Sequence, residues 1–281
     1  MKQLIVAADD FGLTGSINKG IVKAVREGIV TSVNLMPSGE AFDDALNSAK
    51  ELGLAEAGAH LALTETAPVS DASRIPTIVA KDGRFYGSRN RFVPRLLLGM
   101  LDLDEVYVEL KAQLDSVISS GIRVTNLSSH EHMHMLPGIL DIFVKLAREY
   151  DVPAIRYPRE DISRVPLSAG KIYKSIVMSV LGGPAAKMIR SSGLRRPDRF
   201  LGFHDSGALT EEALLGMLAS LRDGTTELVC HPGLMSPEVL DRYPFHKNCE
   251  DELFALTSRR VKKSIADNGI RLIRYGEYLL S

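Results

Sequence analysis

Three of the chain's seven histidines fall within five residues, in Ser129-His130-Glu131-His132-Met133-His134. Imidazole binds metals and exchanges protons near neutral pH, so this density points to chemistry before any fold is assigned. Formally, His130-Glu131-x-x-His134 is the H-E-x-x-H pattern of zinc peptidases. That pattern works only on a helix, where positions i and i+4 share a face. Here Val124–Ser128 reads as a strand, and Pro137 falls where the next helix should begin. The histidines are expected in a strand-end loop, which disfavours the peptidase reading.

Other chemistry-bearing residues also sit where apolar runs stop. Asp9-Asp10-Phe11-Gly12 follows Leu4–Ala8 directly. One Asp suffices to cap a following helix. Two adjacent carboxylates after a buried strand are costly unless they share a cation or a proton. His60 lies in Ala57–Leu63, Arg156 in Pro153–Tyr157, His204 after Phe200–Phe203 and His231 after Glu227–Cys230, just before Pro232-Gly233. Taken alone, His60 reads as an ordinary core histidine; its position at a strand end makes it a candidate. Cys230 and Cys249 form no C-x-x-C pair and suggest no zinc site.

The elements that must position these residues alternate throughout. Short runs at Leu4–Ala8, Val30–Met36, Ala57–Leu63, Val124–Ser128, Pro153–Tyr157, Phe200–Phe203, Glu227–Cys230 and Ile270–Ile273 read as strands, with amphipathic helical patterns between them. The cleanest helical stripe is Ile139, Ile142, Phe143, Leu146 and Ala147. Strand–helix alternation implies right-handed βαβ units and a parallel sheet. No G-x-G-x-x-G or Walker loop follows the first strand, so a doubly wound nucleotide fold is disfavoured. The expected fold is α/β: a single (β/α) barrel over residues 1–281, complete or distorted, with a helical insertion at about 160–199. In such a barrel all C-terminal strand ends meet at one mouth. Asp9, Asp10, His60, His130, Arg156, His204 and His231 would then share one pocket.

Two stretches break the rhythm. Residues 64–100 read as a long loop. Residues 160–199 carry Arg164, Lys171, Lys174, Lys187, Arg190, Arg195, Arg196 and Arg199, with Gly182-Gly183-Pro184 expected to interrupt a helix. Composition narrows the rest. Lys+Arg number 34 against 35 Asp+Glu, a net charge of −1 that argues against a nucleic-acid surface. The N-terminal apolar run is too short for a signal peptide, and no stretch is long enough to span a bilayer. A cytoplasmic protein with no stable membrane insertion is expected; a homodimer is compatible with the sequence.

The segments Ala8-Asp9-Asp10-Phe11-Gly12, Gly28-Ile29-Val30-Thr31-Ser32, Gly58-Ala59-His60-Leu61-x-Leu63-Thr64, Ser129-His130-x-His132-x-His134-x-x-Pro137, Arg156-Tyr157-Pro158-Arg159-Glu160 and Glu227-Leu228-x-Cys230-His231-Pro232-Gly233 together resemble the YdjC-like carbohydrate deacetylases, a family that includes chitooligosaccharide deacetylases and hopanoid-biosynthesis-associated relatives. The resemblance covers essentially the whole chain. It implies a (β/α) barrel and one divalent metal, zinc or magnesium foremost, held by Asp10, His60 and His130. It further implies Asp9 as general base and His231 as general acid. Arg156 and His204, placed at the same mouth by their strand ends, are expected to contact the substrate. The implied reaction removes N-acetyl groups from an amino sugar or a short N-acetylated oligosaccharide. A metal with open positions can polarise an amide carbonyl and acidify water, and a positioned base and acid move the protons. The chain departs from the family pattern at Ser128, where Asp is frequent, and at Glu131, where His or Gln is frequent. A non-catalytic sugar-binding barrel and a zinc peptidase are the competing readings.

Overall fold

The computed structural model describes residues 1–161 and 169–280, residues 169–177 by their backbone alone. Seven parallel strands form one sheet among the described residues: β1 (Lys2–Phe11), β2 (Ser32–Leu35), β3 (Glu56–Leu61), β4 (Arg123–Ser129), β5 (Arg199–Leu201), β6 (Gly224–Cys230) and β7 (Arg271–Leu272). The order is β4-β3-β2-β1-β6-β5, with β7 added beside β1. Helices cover the sheet, as short parallel connections require. The architecture is an incomplete (β/α) barrel.

β1 lies at the centre of this arrangement. Leu4, Ile5, Val6, Ala7 and Ala8 are all inaccessible to solvent, the unbroken apolar run expected of a strand covered on both faces. Helix Gly15–Glu27 packs beside it through Ile17, Ile21 and Ala24. The predicted stripe on helix Ile139–Glu149 is buried as expected. Gly20 of the first helix lies so close to Gly233 that a Cβ there would meet the Gly233 Cα at 2.3 Å. Two glycines thus let the helix press against the turn that follows β6.

The barrel is uneven. From β4 through β1 to β6 the strands share ladders. Among the described residues the expected strand Pro153–Tyr157 makes only isolated bridges, Leu127 with Ile155 and Ala154 with Arg195. Pro153 lacks an N–H to donate, and the run is too short to continue a ladder. The expected loop 64–100 instead contains helix Arg89–Leu97 and a short 3-10 turn at Ala72–Arg74. The predicted helix near 250–266 is two helices, Cys249–Thr257 and Arg259–Asp267, divided at Ser258.

In the insertion, helix Ala169–Ser191 runs on through Pro184, contrary to the expected interruption. Proline removes one backbone donor, and packing supplies the rest: Gly182 lies against the Tyr157 hydroxyl, which donates to its carbonyl at 2.9 Å. Arg164 and the side chains of Lys171 and Lys174 lie outside the described residues. No helix among the described residues is long and apolar enough to cross a membrane.

Candidate active site

The C-terminal ends of the strands surround a cavity of about 220 Å³ whose walls include Asp9, Asp10, His60, His130 and His231. Strand register explains how these residues meet. Ala8 pairs with Cys230, so the next residues, Asp9 on β1 and His231 just past the end of β6, stand side by side. His60 of β3 pairs with Ser128 of β4. β1 carries a bulge: between the pairs Ala8–Val33 and Phe11–Leu35, three steps on β1 oppose two on β2. Asp10 occupies that bulge with φ 64°. A regular strand would send Asp9 and Asp10 to opposite faces; the bulge brings both carboxylates to the mouth. Gly12, at φ 126°, completes the turn where a Cβ would strike the Met36 carbonyl oxygen at 2.7 Å.

Asp10 faces imidazoles. Its Oδ1 lies 3.0 Å from His130 Nδ1 and 3.3 Å from His60 Nε2. Donor atoms of Asp10, His60 and His130 all lie within 4.8 Å of one another, and all three residues are buried. A tetrahedral zinc site with bonds of ~2.0–2.1 Å has donor–donor edges of roughly 3.3 Å. Among the described residues Asp10 Oδ2 is buried and accepts no hydrogen bond, although His246 Nε2 stands 3.2 Å away. Converging donors and an orphaned carboxylate oxygen fit a divalent cation. Two imidazoles and a carboxylate suit zinc and several other transition metals alike. Burial opposes charge on Asp10, but His130 with His246 and His60 holds its carboxyl well below the usual range.

Asp9 faces a guanidinium. Its Oδ2 accepts from Arg156 Nη1 at 2.5 Å, and its Oδ1 accepts from Arg156 Nη2 at 2.9 Å and Asn34 Nδ2 at 2.6 Å. Arg156 is fully buried and also donates through Nε to Glu227, whose other oxygen accepts from the Tyr275 hydroxyl. Burial would raise the Asp9 carboxyl, yet Arg156, then His60 and His231, hold it far below its ordinary value. His231 Nε2 is 4.0 Å from Asp9 Oδ2. Its backbone N–H donates to Glu252 at 2.6 Å. Burial lowers the His231 imidazole to about 4, so it is neutral at pH 7. Burial raises Glu252 to about 7.

Five of the seven sequence-derived residues thus line one cavity. Arg156 lies behind Asp9 and does not line it. His204 packs its ring on Phe203, one layer back, while its backbone N–H donates to Glu160. The histidine-rich segment forms short 3-10 turns from His130 to Met135, interrupted by left-handed Glu131 and His132, rather than the expected loop. It is also not the α-helix that H-E-x-x-H requires. His134 turns away: its Nε2 donates to the Arg156 carbonyl at 3.0 Å, and its Nδ1 accepts from Ser129 at 2.7 Å.

Sequence reasoning missed Glu65, Asn34, Glu227, Glu252 and His246. Asn34 and Glu227 were visible as polar residues inside strand patterns. His246, in the short Pro244–Asn248 turn, carried no comparable signal. Ser128, noted only as a departure from a pattern, hydrogen-bonds His60 Nδ1 at 2.8 Å. Backbone conformation supplies an independent pointer. Among the described residues five non-glycines have left-handed φ, and four of them (Asp10, Glu65, Glu131 and His132) line this cavity. Such strain concentrates where surrounding structure enforces a function.

Comparisons with known proteins agree in their coverage. Carbohydrate deacetylases from Thermoanaerobacter pseudethanolicus and Brevibacillus brevis are each 32% identical, over 98% of this chain and 98% and 99% of theirs. A human carbohydrate deacetylase is 30% identical over 96% of this chain and 89% of its own. A solved structure from Enterococcus faecalis V583, provisionally described as a cellobiose-phosphate cleavage protein, has a TM-score of 0.81 at 28% identity, covering 99% of this chain and 98% of that one. The YdjC-like protein profile matches residues 3–267, and the chain belongs to that family.

Proposed function

We propose that this protein is a metal-dependent carbohydrate deacetylase that hydrolyses the acetamide of an N-acetylated amino sugar or short oligosaccharide. The observation that carries this reading is the convergence of Asp10, His60 and His130 beside Asp9 and His231 on one cavity. The deacetylase names of the relatives support it. A divalent ion held by Asp10, His60 and His130 would supply Lewis-acid polarisation of the amide carbonyl and a more acidic water.

The chain's own residues handle the protons. Arg156 and Asn34 fix the Asp9 carboxylate and keep it ionised, ready to accept a proton from the attacking water. Asp9 Oδ2 faces His231, which starts neutral. The proton taken by Asp9 passes across the 4.0 Å gap to His231 Nε2 through one bridging water, and from there to the departing amine. Neither residue then needs to begin as an acid at neutral pH. Arg156 orients the base and does not touch substrate. Substrate contacts fall instead to groups on the wall: Phe203 and Phe245 offer apolar faces to a sugar ring, while Arg89 and Glu131 offer polar partners to hydroxyls.

The test is metal analysis of the purified protein, then acetate release from a panel of N-acetyl sugars with zinc or magnesium. Stoichiometric metal and metal-dependent acetate release are expected. Full acetate release after complete metal removal would refute the proposal.

A further inference from the structure

We propose that Glu65 is the positioning residue of the metal centre: its carboxylate takes the Nε2–H of His130, so that His130 binds the metal through Nδ1 while His60 binds through Nε2. This rests on the ligand set proposed above. The geometry on the two histidines is parallel. His60 turns Nε2 toward Asp10 Oδ1 at 3.3 Å and gives Nδ1 to Ser128 Oγ at 2.8 Å. His130 turns Nδ1 toward the same Asp10 oxygen at 3.0 Å and gives Nε2 to Glu65 Oε2 at 3.0 Å. Each ring presents one nitrogen to a common point and has the other engaged. Metal-ligating histidines are generally oriented by an acceptor of this kind on the second nitrogen.

The backbone at Glu65 carries the second observation. Its φ is 65°, and the Thr66 N–H donates to the Thr64 carbonyl at 2.8 Å, enclosing Glu65 in a three-residue turn of the strained, left-handed kind. Thr66 is anchored on both sides, its hydroxyl donating to Ser38 and its carbonyl accepting from the Phe85 N–H. Glycine is the residue such a turn favours. Glutamate there is unfavourable for the backbone and places a carboxylate against His130.

That contrast gives a test which separates positioning from plain support of the fold. Zinc dissociation constants would be measured by chelator competition for the full chain and its Glu65→Gly, Glu65→Gln and Asp10→Asn variants. Asp10→Asn should abolish tight binding. Glu65→Gly should weaken zinc binding roughly 10–100-fold without lowering the melting temperature of the metal-free protein, because the turn relaxes. Glu65→Gln, which keeps an acceptor oxygen, should lose less affinity than Glu65→Gly. Histidine side-chain ¹⁵N NMR of the zinc-loaded protein should show the proton of His130 on Nε2. Zinc affinity within twofold of wild type in Glu65→Gly, or a His130 proton on Nδ1, would overturn the role of Glu65. Zinc binding indifferent to Asp10→Asn would overturn the ligand set itself, and this proposal with it.

Discussion

Asp9 and Asp10 are chain neighbours with opposite company. Behind Asp9 is a buried guanidinium, itself shared with Glu227. Among the described residues, the charged or chargeable side chains against the Asp10 carboxylate are imidazoles, from His60, His130 and His246. Arg156 cannot be deprotonated under ordinary conditions, so Asp9 always has its counter-charge. Imidazoles can be neutral, and a neutral imidazole offers a lone pair to a metal. The chain therefore builds two sites from one dipeptide: a closed ion pair that fixes a carboxylate, and a set of converging donors that could hold a cation. Identical side chains acquire different chemistry from what faces them.

The sharpest break of this contrast is Asp10→Asn. Deacetylase activity should fall by roughly 10³-fold or more, since the Lewis acid is lost, and bound metal should disappear from elemental analysis. Next is Asp9→Asn, which should retain metal within a few-fold of wild type while kcat falls by ~10²–10⁴. Equal metal loss in both variants would erase the distinction.

A third change tests the floor behind Asp9. Arg156→Met leaves Asp9 and Glu227 buried without their cation and should cost ~3–5 kcal/mol in denaturant unfolding. Adding Asp9→Asn and Glu227→Gln to it should recover most of that loss; no recovery would show that shape, not charge, was missing. The smallest effect concerns Glu252, another buried carboxylate, whose partners include the backbone N–H groups of His231 and Leu209 in place of a guanidinium. Burial raises it from 4.5 to about 7, so the folded state binds its proton more tightly than the unfolded state does. Wild type should lose stability as pH rises from 4.5 through 7, by at most about 3 kcal/mol. Glu252→Gln lacks that slope. Its melting temperature should draw ahead of wild type between pH 5 and pH 8, and a constant gap would contradict the assignment.

Much of this was legible in the sequence because it depends on strand ends. The apolar run Leu4–Ala8 located β1, and the register of a parallel barrel then carried Asp9, Asp10, His60, His130 and His231 to one mouth. Less legible was anything set by a side chain's direction. Arg156 sits in a strand-like run, as expected, yet its guanidinium turns inward to two carboxylates that the pattern could not pair with it. His204 and His231 looked alike, each ending an apolar run. Only one reaches the cavity, because β5 is three residues long and ends before His204, whereas β6 delivers His231 beside Asp9. The bulge at Asp10 and the turn at Glu65 have no sequence signature, since non-glycine residues seldom adopt left-handed φ.

The seam beside β4 has a kinetic consequence. Ile155 and Ala154 are tied to their neighbours by single bridges, whereas β1 shares seven register pairs with β6. Amide protons along 154–156 should exchange with solvent deuterium through small local openings, while those of β1 wait for unfolding of the whole chain. Arg156 is part of that seam, donating its own N–H to Leu127 and its guanidinium to Asp9. Each opening that frees the Arg156 amide would also loosen the grip on Asp9. The breathing of one weakly laddered edge would thereby set how long the carboxylate stays aligned between turnovers.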